Sequence, residues 1–143
     1  YAPGGGDPDN FNLNDCSTQR NLNKEGRDQA KYIGEFFKKN SIKIEKVLSS
    51  EWCRCKETAE IAFKDFSTNS FLNSFYSSKF AKNKQKQIKM LNNYVKKFES
   101  DKNLILITHY VLIFEVLNYA PSSGEIVVSD KNLNIIGSIE IDF

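Results

Sequence analysis

Apolar positions along the chain switch between two periods, and the switching predicts helices alternating with strands. From about Asn23, Ala30, Ile33 and Phe37 recur at helical spacing with Lys and Glu between them, until Asn40 ends the pattern. Ile44 to Ser49 reads as a short buried strand, and Ser50 is placed to cap the next helix with its hydroxyl. In that helix Trp52, Cys55, Ala59, Ala62 and Phe66 form a stripe at spacings of three and four. Residues 67–80 have no period but hold Phe71, Phe75, Tyr76 and Phe80, expected mostly in the core. A further helix from about Lys82 aligns Ile88, Leu91, Val95 and Phe98. Asn103 to Thr108 reads as a strand apolar on both faces, which suits the middle of a parallel sheet covered by helices on both sides. Tyr110 to Tyr119 is predicted helical, and Glu125 to Ser129 with Leu133 to Ile141 form a hairpin at the sheet edge. Residues 1–19, rich in Gly, Pro, Asn and Asp, read as an irregular loop.

Composition narrows this picture. A chain of 143 residues, 40% hydrophobic, is long enough for one domain with a real core, so residues 1–143 are read as a single α/β unit. The net charge of +2 hides an uneven layout, because residues 67–98 hold seven lysines and no acid. These read as a solvated face. A nucleic-acid partner is not expected, since none of the standard binding modules is present. No apolar run approaches the roughly 20 residues of a membrane span. The compartment stays open between cytoplasmic and periplasmic.

Three cysteines, Cys16, Cys53 and Cys55, could make a zinc site with His109 only at poor spacing, because positions two apart on a helix do not share a face. No metal and no cofactor is therefore expected. In an exported protein Cys16 could pair with either Cys53 or Cys55 and leave one odd thiol.

The candidate chemistry lies beyond the ends of two strands, where ligands bind in open parallel sheets. Arg54 falls in the first turn of its helix, where free backbone N–H groups and the helix dipole already favour an anion. His109, the only histidine, follows the second strand directly. Together the two residues could hold the oxygens of a phosphoryl group.

In this context the chain resembles the histidine phosphatase superfamily, the phosphoglycerate mutase-like group. The resemblance is carried by Cys16-Ser17-Thr18-Gln19-Arg20-Asn21-Leu22 leading into Gly26-Arg27-x-Gln29-Ala30, by Ser49-Ser50 with Arg54 and Thr58-Ala59, and by Thr108-His109. It implies a three-layer α/β/α fold with a mostly parallel central sheet, and a phosphohistidine intermediate formed on a histidine of an Arg-His motif after the first strand. That motif is absent from the sequence, where no histidine precedes His109 and Tyr1-Ala2-Pro3 resembles the stretch that follows the motif, so the first strand and its nucleophile are expected to be missing. A phosphomonoester phosphatase inactive in this form is the expected function, with a phosphate- or phosphoprotein-binding pseudoenzyme as the alternative. The implied partner is a phosphorylated small molecule or a phosphoprotein. A homo-oligomer formed by strand exchange would fill the vacant strand position.

Carried over by position, Arg54 and His109 are catalytic and phosphate-binding residues, and Arg20 is a further candidate phosphate ligand. Candidates for the general acid are Glu125, Glu51, Asp7 and Asp15, with Glu125 equally readable as a turn cap.

Overall fold

A computed structural model of the chain describes residues 1–142. Helix α1 (Lys24–Lys39) starts where the Asn23 side chain accepts the Gly26 amide, and buries Ala30, Ile33 and Phe37. It is followed by β1 (Ile44–Ser49), α2 (Cys53–Phe63), β2 (Ser67–Thr68), α3 (Lys84–Lys97), β3 (Asn103–Ile107) and α4 (Tyr110–Leu117). Strands β4 (Ile126–Ser129) and β5 (Ile135–Ile139) close the chain.

The expected α/β class and parallel central sheet are present. Strand β1 lies in the middle, paired in parallel with β2 on one side and β3 on the other. Alternating side chains feed two cores. On one face Leu48, Leu104 and Leu106 pack with Phe71, Leu72 and Phe75 and with Leu91, Val95 and Leu112 from α3 and α4. On the other, Ile44 and Ile105 pack with Ile33 and Phe37 of α1 and Ala62 of α2. The two helices of that layer approach closely at Gly34, where an added Cβ would lie 2.4 Å from the Ala62 carbonyl oxygen.

Four local expectations are corrected. Strand β3 stands at the edge of the sheet, because β2 and β3 occupy the two ladder sides of β1; its residues are accordingly only half-buried or exposed. The β4–β5 hairpin is antiparallel as expected but forms a two-stranded sheet of its own. Helix α2 stops at Phe63, where Lys64 turns left-handed at φ 68°, so Phe66 lies beyond the stripe. Residues 67–68, expected irregular, make a short third strand. Of the aromatics between residues 71 and 80, Phe71 and Phe75 are core, whereas Tyr76 is exposed.

Candidate phosphate site

The ends of β1 and β3 meet directly, since the Ser50 amide donates to the Ile107 carbonyl at 2.9 Å. This brings the two segments singled out in the sequence to one place. Ser50 is fully buried, but it is not the helix cap: α2 begins at Cys53 with Trp52 in the capping position. Its hydroxyl instead accepts the Trp52 amide at 3.1 Å. A first-turn amide of α2, that of Cys53, is satisfied by Gln19 Oε1 at 2.9 Å. Part of the donor set expected for an anion is thus taken by a side chain from the N-terminal loop.

Arg54 and His109 are in contact, with Nη2 of the guanidinium 3.4 Å from Nδ1 of the imidazole. The other ring nitrogen, Nε2, lies 2.8 Å from Ser50 Oγ. The surrounding network assigns the tautomer. Asn73 donates through Nδ2 to Glu51 and accepts the Glu51 amide at Oδ1, which fixes the orientation of its amide. Ser50 then donates to Asn73 Oδ1 at 3.2 Å, leaving its lone pairs for the Trp52 amide and for an Nε2–H of His109. In this arrangement Nδ1 presents a lone pair to Arg54.

Burial first, and the nearby Arg54 charge second, pull the His109 pKa down to about 3, so the ring is neutral at physiological pH. Trp52 packs against it with ring centroids 5.2 Å apart. Cys55 lies 3.7 Å from Nε2, but burial pushes its thiol up to about 11, which leaves it without thiolate character.

Arg20 joins the same cluster. Its carbonyl oxygen accepts from Arg54 Nη1 at 3.3 Å, its guanidinium donates to the Ala2 carbonyl, and its Nε is a buried donor without a partner. Between the two arginines sits Asp7. Its Oδ1 accepts from Arg54 Nη1 at 3.0 Å and from the Arg20 amide at 3.0 Å, while Oδ2 accepts from the Trp52 indole at 3.0 Å. Partial burial would raise the Asp7 pKa, but the Arg20 and Trp52 hydrogen bonds and the Arg54 charge outweigh it and hold the carboxyl below its usual value.

The other three candidate carboxylates have different partners. Asp15 accepts from Ser17, and Glu51 from Asn73. Glu125 accepts from the Tyr119 hydroxyl and the Ser122 amide, which are the contacts of a turn cap. These bonds hold its carboxyl below the usual range, Tyr119 contributing most.

The cysteines resolve the pairing left open by the sequence: Cys16 and Cys53 form a disulfide, and Cys55 is free and buried. Two of the three sulfurs proposed as zinc ligands are thereby consumed. The bridge fastens the loop carrying Gln19 and Arg20 to the start of the Arg54 helix. A broad groove of about 600 Å³, lined by Phe71, Met90, Tyr94 and Lys97 among others, includes neither Arg54 nor His109.

Residues 14–74 match the family model of the histidine phosphatase superfamily (branch 1), a stretch that holds Arg20 and Arg54. The fold is similar to that of the protein histidine phosphatase SixA complexed with tungstate, with a TM-score of 0.61 at 17% identity over 94% of this chain and 91% of that one. It is also similar to the open reading frame Rv3214 from Mycobacterium tuberculosis, with a TM-score of 0.50 at 13% identity over 70% of this chain and 68% of that one. No curated protein matches by sequence. Residues 14–74 are thus similar in sequence to the histidine phosphatase superfamily, and nearly the whole chain is similar in fold to SixA.

Proposed function

We propose that the cluster of Arg54, His109 and Arg20 is the phosphoryl-binding site of a phosphomonoester phosphatase of the phosphohistidine type. The observation that carries this reading is the contact of Arg54 with His109 at the joined ends of β1 and β3. Arg54 and Arg20 supply positive charge and forked donors for the non-bridging oxygens. A neutral imidazole shields no charge of its own. Once its tautomer changes, Nδ1 can donate to a phosphoryl oxygen as negative charge develops there.

Turnover through a phosphohistidine needs a nucleophilic imidazole besides the one that binds the phosphoryl group, and these 143 residues contain one histidine. Our reading is that this chain binds the phosphoryl group without hydrolysing the ester. Phosphorylated small molecules and phosphoproteins are the substrate classes it fits. The edge position of β3 supports the strand-exchanged homo-oligomer as its assembly, and a monomeric mass by light scattering would contradict that part.

The test is hydrolysis of an aryl phosphate by this chain and by a version extended before Tyr1 with an apolar strand ending in Arg-His. Activity confined to the extended chain, and lost on Arg54→Ala or His109→Ala, is expected. Equal activity in both chains would overturn the assignment of the nucleophile.

A further inference from the structure

We infer that Asp7 is a specificity-determining residue of this site, making it select an oxyanion that can carry a proton, phosphate or a phosphomonoester, over one that cannot, such as sulfate. The inference rests on the phosphoryl-site reading above.

The argument starts from where the carboxylate sits. Asp7 Oδ1 lies 3.0 Å from Arg54 Nη1, so an anion seated on that guanidinium lies next to the carboxylate. Three bonds from different parts of the chain hold Asp7 there: Arg54 on α2, the Trp52 indole before it, and the Arg20 backbone amide in the N-terminal loop. The loop itself is fastened to α2 through Cys16–Cys53 and through Gln19. A carboxylate held at three points does not swing away freely when an anion arrives.

Two anionic oxygens forced side by side repel, most strongly where solvent is limited. A single shared proton changes the sign of the contact, since an O–H then donates to the opposing oxygen. A phosphomonoester, with its second ionisation near about pH 6, can bring that proton or let Asp7 take it up. Sulfate, fully ionised at neutral pH, brings none and is rejected by the unrelieved contact.

None of the other charged and titratable groups around Asp7 supplies the proton, so it stays between the carboxylate and the phosphoryl oxygen. Arg54 and Arg20 stay cationic. His109 is kept neutral by burial and by Arg54, and the Cys55 thiol is kept protonated by burial. The Tyr1 amino group is bonded to Gln29. Phosphate binding is therefore accompanied by proton uptake where free phosphate is a dianion, and its affinity falls as pH rises beyond the second ionisation.

The experiment is calorimetric titration of the full chain with inorganic phosphate and with sulfate, at about pH 6 and about pH 8, on either side of phosphate's proton loss. Wild type is expected to prefer phosphate by at least about tenfold, the scale of an unrelieved like-charge contact. Asp7→Asn keeps an acceptor for the Trp52 indole and removes the charge, so sulfate binding should rise and the preference collapse. A readout independent of any variant is the wild-type proton uptake, obtained by comparing phosphate binding heats in two buffers of different ionisation enthalpy. Equal affinity for the two anions, no proton uptake at the higher pH, or an unchanged preference in Asp7→Asn would each overturn the inference. If Arg54→Ala abolishes binding in that case, the phosphoryl-site reading survives. Absence of binding to wild type, or binding indifferent to Arg54→Ala, would overturn both.

Discussion

The N-terminal loop and the turn at residues 122–125 are both irregular, and both offered a carboxylate as a candidate acid. They differ in the range of their contacts. Asp7 reaches Arg54 and Trp52, more than forty positions away, and its loop is fastened to α2 by a disulfide and by Gln19. Glu125 bonds within its own turn, to Ser122 and the nearby Tyr119. Glu125 makes the contacts of a cap, whereas Asp7 pairs with the Arg54 guanidinium that also meets His109.

The largest expected effects fall on the loop side of this comparison. Removing the Arg54 guanidinium should weaken phosphate binding about 100-fold, equivalent to the loss of one or two hydrogen bonds to a charged group. Titration of Arg54→Ala checks this, and retention of wild-type affinity would detach the anion from α2. Reduction of Cys16–Cys53, or Cys16→Ser, should cost about 2–4 kcal/mol in a denaturant melt. It should also weaken phosphate binding, because Gln19, Arg20 and Asp7 lose their anchor. A melt insensitive to reductant would show that the loop is held by its other bonds alone.

Acid should act on the same region through His109. Its pKa is near 3 in the fold and about 6.5 when the chain is unfolded, so between these values the unfolded state binds the extra proton. Stability is fully present above about pH 6.5 and falls with acidification by about 1.4 kcal/mol per pH unit down to about pH 3. His109→Gln should flatten that dependence in chemical denaturation across the window, and an unchanged slope would assign it to other groups. The smallest effect belongs to the turn. Glu125→Gln should leave phosphate affinity within about twofold of wild type, as expected for a site with no shared partners. A larger loss would bring Glu125 back into the site.

Much of this was legible from local pattern. Ala30, Ile33 and Phe37 on α1, and Leu91 and Val95 on α3, are buried where helical periodicity puts them. The Arg54 and His109 segments announced themselves because each follows an apolar strand. The apolar run of β3 gave no indication that this strand lies at an edge, since strand order depends on partners elsewhere in the chain. Asp7 carried even less local signal: it lies in a Gly- and Pro-rich stretch, and only tertiary pairing sets it apart from Asp15, which caps a short turn. Ser50 was noticed as a cap, and its role in fixing the His109 tautomer emerged only once β1 and β3 were side by side.

Because His109 is the only histidine in the chain, its ring resonances can be assigned without ambiguity. Following the imidazole ¹⁵N signals during a phosphate titration therefore tests most directly whether Arg54 and His109 form one phosphoryl site. The account predicts a saturable shift of the Nδ1 signal in the wild type that is abolished in Arg54→Ala. Ring signals that stay still while phosphate binds, or that shift equally without Arg54, would contradict it.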